Sequence, residues 1–342
     1  TCRNCESTCP SGVQYGHLLD IGRKIVDAKV PRPTPEKALR WALKEGLPSP
    51  LFAPAMKMGQ AVRGLLPAAL QAKVPPRQDA GAWPTRSHAR KVLMLAGCVQ
   101  PSMMPNINAA TARVLDAAGI QTVIAPKAGC CGAVKFHLND QDGGRAEMRA
   151  NIDAWWPMIA SGEVEALVMN ASGCGVTVRE YGHFLKDEPA YAAKAQRIGE
   201  LTRDLSELLP AIVAALRQSR PDRVPGPPAG DAGAGRHLAF HPPCSLQHGQ
   251  QLRGGVEQHL AAFGFKVQVA RSESHLCCGS AGTYSVLNPD LSHKLRDRKL
   301  GHLGELEPDV IVSANIGCVT HLQSGTPTPV RHWVEVLDEH LR

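Results

Sequence analysis

Eight cysteines of this 342-residue chain fall into two sets with the same order and nearly the same spacing. Each set has a single cysteine, then an adjacent pair followed by glycine, then a last single cysteine. The first set is Cys98, Cys130, Cys131 and Cys174, and the second is Cys244, Cys277, Cys278 and Cys318. Thiolates are soft ligands that suit iron and zinc. The duplicated pattern therefore predicts two metal or iron–sulfur sites and favours a role in electron transfer.

Core packing, structural zinc and a disulfide are the alternative explanations of the two cysteine sets. A lone cysteine is usually small core filling, but core filling does not account for a set of four that occurs twice. Structural zinc usually binds C-x₂₋₄-C pairs, and adjacent cysteines fit neighbouring irons of a cluster more readily than one ion. A disulfide within each pair would be strained. Iron–sulfur ligation is thus the leading hypothesis, with zinc as its competitor.

Each cysteine pair is followed by a glycine, Gly132 or Gly279. Glycine adopts positive φ without steric cost, so it lets main-chain N–H groups approach cluster sulfurs. Both glycines are therefore candidate cofactor-binding residues. Four histidines lie near the cysteines in sequence, and because hydrogen-bonding or surface roles explain them equally well, none is assigned as a ligand. They are His137, His248, His275 and His321.

The chain opens with a third cysteine motif, in which Cys2, Cys5 and Cys9 are followed by Pro10. The spacing C-x₂-C-x₃-C-P is three quarters of the bacterial ferredoxin run C-x₂-C-x₂-C-x₃-C-P. We expect the three cysteines to be [4Fe-4S] ligands, with Pro10 as part of the cofactor-binding motif, and the sequence to be an amino-terminally truncated form. A three-cysteine zinc knuckle is the alternative.

The elements that would position these cysteines are short apolar strands alternating with helices. From Lys91 the order is strand, helix, strand, helix, strand, which is typical of a mostly parallel sheet covered by helices. RHLAFHPPC at 236–244 matches RKVLMLAGC at 90–98, and later segments match in the same order. The fold class is therefore α/β, with two tandem duplicated domains. In parallel sheets ligands bind beyond the carboxyl ends of the strands, so each set of four thiols should meet at one edge.

Composition shifts and proline-rich stretches predict the domain boundaries. The predicted units are a partial ferredoxin-type segment at 1–30, a helical and Pro-rich linker region at 31–89, a first cysteine-rich domain at 90–220, a flexible linker at 221–235, and a second cysteine-rich domain at 236–342.

The net charge, the composition and the lengths of the apolar runs exclude several classes of function. The net charge of +7 is spread along the chain and only 4% of residues are aromatic, which argues against nucleic acid as a partner. Neither a signal peptide nor an apolar run of about 20 residues is present, so we expect a cytoplasmic protein. No G-x-G-x-x-G motif follows a strand. We therefore expect no flavin site and no catalytic residues for substrate chemistry in this chain.

Longer segments around these motifs resemble a known protein family. TCRNCESTCPSGVQYGHLLDIGR at 1–23 and LCCGSAGTYSVLNPDLSHKLRDRKL at 276–300 are similar to the family of glycolate oxidase iron–sulfur subunits. The cysteine repeats resemble the CCG domain, which also occurs in heterodisulfide reductase, in lactate-utilisation proteins and in anaerobic glycerol-3-phosphate dehydrogenase.

The resemblance implies an iron–sulfur electron-transfer subunit of an oxidoreductase complex. Flavin-containing partner subunits, which alone carry FAD, would oxidise glycolate to glyoxylate and pass electrons through this chain toward a membrane acceptor, the quinone pool. The full-length protein would hold two [4Fe-4S] clusters in its ferredoxin-like domain, with further clusters in the CCG repeats. It would lie peripherally on the inner face of the cytoplasmic membrane. A lactate or glycerol-3-phosphate dehydrogenase subunit, or a thiol or scaffold module that carries no electrons, are the alternatives.

The chain departs from the family pattern at one place in each repeat. The fuller CCG pattern ends in C-x₂-C, but Ala171 and Asn315 replace the first cysteine of that pair. Four thiols remain in each repeat, which is enough for a cubane. The departure argues against a cluster with five cysteine ligands.

Overall fold

Five helices form the amino-terminal part of the computed structural model, which describes residues 2–71, 73–227 and 235–342. They are α1 (Asn4–Ser7), α2 (Tyr15–Lys29), α3 (Thr34–Gly46), α4 (Phe52–Ala61) and α5 (Ala68–Gln71). Prolines bound the connection between α2 and α3. Pro31 and Pro33 follow α2, and Pro35 occupies the first turn of α3, where its missing N–H is not needed. The helical region predicted at 31–89 is interrupted after Ala61, where α4 ends before a 3₁₀ turn at Arg63–Leu65.

The first repeat is built on a four-stranded, all-parallel sheet of order β2-β1-β3-β4. Its strands are β1 (Arg90–Met94), β2 (Ile120–Val123), β3 (Ala166–Met169) and β4 (Thr202–Asp204). The helices are α6 (Gln100–Met103), α7 (Pro105–Ala117), α8 (Ala133–His137), α9 (Gln141–Ala160), α10 (Ser172–Arg179), α11 (Tyr181–Phe184), α12 (Ala192–Leu201) and α13 (Leu209–Ser219). Nearly continuous apolar burial in β1 and β3 is typical of a sheet covered on both faces.

The second repeat has the same topology, with a parallel sheet of order β6-β5-β7-β8. Its strands are β5 (His237–His241), β6 (Lys266–Val269), β7 (Val310–Ser313) and β8 (Val330–His332). Its helices are α14 (Gly255–Ala261), α15 (Tyr284–Leu287), α16 (Pro289–Gly304), α17 (Ile316–Gln323) and α18 (Trp333–Leu341), with a π-helical segment at Ser245–Gly249. The predicted α/β fold class with two tandem repeats is confirmed.

Two details differ from the sequence expectations. The fourth strand of each sheet was not predicted, because β4 and β8 have three residues each and so show no usable periodicity. The predicted flexible linker at 221–235 lies partly outside the described residues. Its first part is packed, since Arg223 Nη1 donates to the carbonyl of His340, 2.9 Å away, and Val224 is 7% exposed. The remaining domain boundaries stay a prediction.

The two repeats share a hydrophobic core, and a second buried cluster lies within the first repeat. A continuous cluster of buried residues joins Val92, Ile107 and Val114 of the first repeat to Leu238 and Trp333 of the second. An ion pair crosses the same junction between helices α7 and α18. Arg113 Nη2 lies 2.8 Å from Asp338 Oδ2, and the carboxylate side chain is 6% exposed. The repeats therefore pack as one body.

Candidate metal centres

The four thiols of the first repeat meet beyond the carboxyl ends of strands β1, β2 and β3. Cys98 follows β1, the Cys130 and Cys131 pair follows β2, and Cys174 lies in the first turn of α10 after β3. The thiols form a hydrogen-bonded chain in which Cys98 contacts Cys130, Cys130 contacts Cys131 and Cys131 contacts Cys174. The convergence expected from the strand order is thus present.

The second repeat forms an equivalent chain of thiols. Cys244 contacts Cys277, Cys277 contacts Cys278, and Cys278 contacts Cys318. Cys244 follows β5, the pair follows β6, and Cys318 lies in the first turn of α17 after β7. The structure brings together all eight cysteines of the two sets in the two predicted groups of four.

One thiol in each set is strongly acidified by its neighbours. Hydrogen bonds from Cys131 and Cys98 lower the pKa of Cys130 well below its usual range, and the thiols of Cys244 and Cys278 do the same to the pKa of Cys277. A metal ligand must be a thiolate. One cysteine of each group is therefore held as the thiolate that iron or zinc requires, whereas hydrogen bonding to that thiolate raises the pKa of Cys98, Cys131, Cys244 and Cys278.

The glycine after each cysteine pair adopts a backbone conformation that other residues avoid. Gly132 has φ of 93° and Gly279 has φ of 90°. A β-carbon on Gly132 would lie 2.8 Å from the carbonyl oxygen of Gly144, and one on Gly279 would lie 2.3 Å from that of Ser292. The N–H of Gly279 reaches Cys277 Sγ at 3.3 Å. These glycines shape the turn and aim a donor at a sulfur, and their cofactor-binding role stays a prediction.

Different side chains hold the cysteine loops of the two repeats. In the first repeat, Asn151 Nδ2 donates to the carbonyl of Cys130 at 2.6 Å, and the hydroxyl of Tyr181 donates to that of Cys131 at 2.9 Å. In the second repeat, Ser292 Oγ donates to the carbonyl of Gly279 at 2.8 Å. The surroundings of two equivalent thiol groups are therefore chemically distinct.

The amino-terminal motif packs against both repeats. The guanidinium of Arg3 makes two hydrogen bonds to the Glu180 carboxylate, at 2.5 and 2.6 Å, and Ser7 Oγ lies 2.9 Å from His248 Nδ1. Cys2 is near enough to Cys244 for its charge to affect the pKa of that thiol. The motif is thus held beside the second thiol group.

The three motif cysteines do not form a compact group by themselves. Within the described ranges, the only three Cys, His, Asp or Glu residues whose ligand atoms all lie within 4.8 Å of one another are His241, Cys278 and Cys318. Backbone N–H groups of Val13 and Ser11 lower the pKa of Cys9, which favours its thiolate. Metal ligation by Cys2, Cys5 and Cys9, and the role of Pro10, stay predictions.

The chain matches a known domain family and known proteins. Residues 92–179 and 238–323 each match the model of the CCG cysteine-rich domain. The whole chain is 50% identical to the glycolate oxidase iron–sulfur subunit of Escherichia coli K12, of which it covers 81%. The chain belongs to this family. Members of the glycolate oxidase iron–sulfur subunit family are oxidoreductase subunits, so the resemblance expected from the sequence motifs is confirmed.

More distant relatives of the family extend the comparison. The probable glycolate oxidase iron–sulfur subunit of Bacillus subtilis is 27% identical over 95% of this chain and 76% of its own length. Lactate utilization protein A of Bacillus licheniformis is 26% identical over 72% of this chain and 99% of its own length. The chain is therefore similar to proteins with different names.

Sequence reasoning missed three ionisable residues at the thiol groups. His241 contacts the second group, Lys299 is buried near it, and Glu147 lies against Cys130 of the first. His241 had a usable signal, because it aligns with Leu95 when RHLAFHPPC is laid over RKVLMLAGC. The four histidines that the sequence pointed to are not in the compact donor group.

Proposed function

We propose that the chain is an electron-transfer subunit that passes electrons from FAD-containing partner subunits, which oxidise glycolate to glyoxylate, toward a membrane acceptor such as the quinone pool. The observation that carries this proposal is the pair of equivalent four-thiol groups, each with one cysteine whose pKa lies far below its usual range. Glycolate is proposed as the substrate of the complex because the E. coli relative is named a glycolate oxidase subunit.

The donor sets fit iron–sulfur clusters. The first would be held by Cys98, Cys130, Cys131 and Cys174, the second by Cys244, Cys277, Cys278 and Cys318, and Cys2, Cys5 and Cys9 would contribute to a ferredoxin-type [4Fe-4S] cluster. A bound cluster supplies a one-electron couple whose potential lies between about −700 and +450 mV. The chain's own residues would set that potential through burial, hydrogen bonds to sulfur and nearby charge.

The surface of helix α2 supports a role within a complex. The apolar side of α2 is uncovered, with Leu18 and Ile21 more than half exposed at 56% and 58%. Such a patch is typical of a surface that a partner covers. None of the helices within the described ranges is long and apolar enough to cross a bilayer.

The test is to purify the complete complex anaerobically and to measure iron, acid-labile sulfide and the EPR spectrum after adding glycolate. The variants Cys130→Ser and Cys277→Ser should each remove one EPR signal and stop glycolate-dependent dye reduction, while size-exclusion chromatography shows an intact complex. Lys127→Ser, at an exposed position of the loop before Cys130, is the matched control. Zinc without sulfide would refute the cluster proposal, and unchanged dye reduction in both variants would favour a scaffold.

Lactate is the second candidate substrate of the complex. Lactate utilization protein A of Bacillus licheniformis matches 72% of the chain over 99% of its own length. Adding glycolate, lactate or glycerol 3-phosphate to the assembled complex and following the reduced EPR signal separates these donors. We expect glycolate to reduce the complex fastest, because the glycolate oxidase relative is the more similar of the two.

A further inference from the structure

A buried histidine faces the thiols of the second repeat and has no equivalent in the first. His241 is the last residue of strand β5 and is 0% exposed. Its ligand atom lies within 4.8 Å of Cys278 Sγ and Cys318 Sγ. The corresponding residue of the first repeat is Leu95, which is 3% exposed and has no donor atom. The two repeats therefore offer different donor sets.

The imidazole of His241 lacks the hydrogen bonds that normally offset the burial of a polar ring. Neither ring nitrogen has a hydrogen-bond partner of ordinary geometry. Leaving such groups buried and unpaired is unfavourable, because they lose their hydrogen bonds to water. The sulfurs of Cys278 and Cys318 both lie within 4.8 Å of the ligand atom of the ring. A thiolate beside an unpaired imidazole is a donor pair that zinc and iron both accept.

We propose that His241 is a metal ligand of the second-repeat centre, which makes that centre a mixed thiolate and imidazole site while the first is bound by thiolates alone. This inference rests on the proposed function only in assigning a metal to the thiols. It raises the number of candidate donors in the second repeat from four to five. Asn315, which stands where the family has another cysteine, does not supply that donor, because its Oδ1 accepts the N–H of Gly317 as a helix cap.

Imidazole ligation has a predictable electronic consequence. Where the imidazole takes the place of one of the four thiolates at the metal, it places less negative charge there, and histidine in place of cysteine raises the potential of Rieske centres above that of all-cysteine ferredoxins. The second-repeat centre should therefore be reduced more easily than the first. A difference in reduction potential between the two centres would give electrons a preferred direction between the two repeats.

The experiment uses the anaerobic complex of the full chain, prepared with natural and with ¹⁵N-histidine. If iron occupies the second repeat, pulsed EPR of the reduced complex should show nitrogen hyperfine coupling that changes with the isotope. If zinc occupies it, zinc-edge X-ray absorption should show a nitrogen ligand together with sulfur. Both results support the proposal and distinguish the two metals. The isotope comparison needs no substitution, so it does not depend on the folding of a variant.

Substitution gives an independent readout. His241→Leu, which copies the first repeat, should abolish the nitrogen signal and weaken metal retention against a chelator at least about tenfold. His241→Cys should restore retention without the nitrogen signal. His237→Leu is the matched control, because His237 lies on the same strand but bonds Gln268. Metal and sulfide present without nitrogen coupling would overturn this inference and leave the proposed function intact, whereas a chain without iron or sulfide would refute the proposed function alone.

Discussion

The buried ammonium of Lys299 donates a 2.5 Å hydrogen bond to the backbone carbonyl of Glu273, in the loop that leads to Cys277. Its side chain is 1% exposed, and burial lowers its pKa against the opposing charges of Cys244 and Cys278. Asn151 stabilises the corresponding loop of the first repeat with a neutral amide. The second thiol group therefore has a buried cation nearby where the first has none in the described ranges.

Replacing Lys299 by Met should lower the reduction potential of the second-repeat centre, because a nearby positive charge favours the reduced, more negative state. A charge interaction on the order of 1–3 kcal/mol, at an effective dielectric constant of about 20, corresponds to roughly 40–130 mV for one electron. EPR-monitored redox titration of the complex measures the shift. Lys294→Met, at an exposed position of the same helix α16, should change the potential little, and equal shifts in both variants would contradict the argument.

Ionisation of Glu147 should lower the reduction potential of the first-repeat centre, whereas the charge of Lys299 raises that of the second. Burial, together with the charge of Cys130, raises the pKa of Glu147 to about 8. The carboxyl group is therefore neutral at pH 7, and its ionisation above pH 8 should make the first-repeat potential more negative. Glu147→Gln should remove this dependence in redox titrations between pH 7 and 9. Asp142→Asn, on an exposed residue of the same helix α9, should leave it in place.

Alanine at either turn glycine should prevent correct assembly of its thiol group. Positive φ alone costs a non-glycine residue about 1–2 kcal/mol, and the added β-carbon of Gly279→Ala would also contact a backbone oxygen at 2.3 Å. We expect at least about 2 kcal/mol of lost stability in urea denaturation of the apo chain, and loss of iron from that repeat. Gly301→Ala is the control, since its β-carbon would meet nothing within 4 Å and helix α16 should gain stability.

Acid should destabilise the chain partly through His332. Complete burial lowers the pKa of this imidazole from 6.5 to about 4, against smaller opposing effects of the carbonyls of Asn170 and Ala314. The unfolded chain therefore binds a proton below pH 6.5 that the folded chain does not bind until about pH 4. Stability should fall by up to about 3 kcal/mol as the pH falls through this window. Urea denaturation at pH 7 and pH 5 measures the loss, and His332→Asn, which keeps a helix-capping side chain, should reduce it.

The sequence was sufficient to predict the fold class and the convergence of the eight repeated cysteines. Both follow from one rule, since each cysteine closely follows a strand and parallel strands end at the same edge. Strands β4 and β8 could not be predicted, because three residues contain no periodic pattern. Lys299 and Glu147 reach the thiols from long helices, and only the packing of those helices decides which of their faces points inward. His241 was hidden by its position in an apolar strand, although its alignment with Leu95 marks it as unusual.

The common hydrophobic interior of the repeats has a consequence for kinetics. Val92 and Leu238, central to their respective sheets, belong to one buried cluster, and Arg113 is paired with Asp338 across it. No hinge can open between the halves without exposing that interior to water. The tunnelling distance between redox centres in the two repeats would consequently be constant, so their exchange of electrons would depend on driving force and not on waiting for a conformational change.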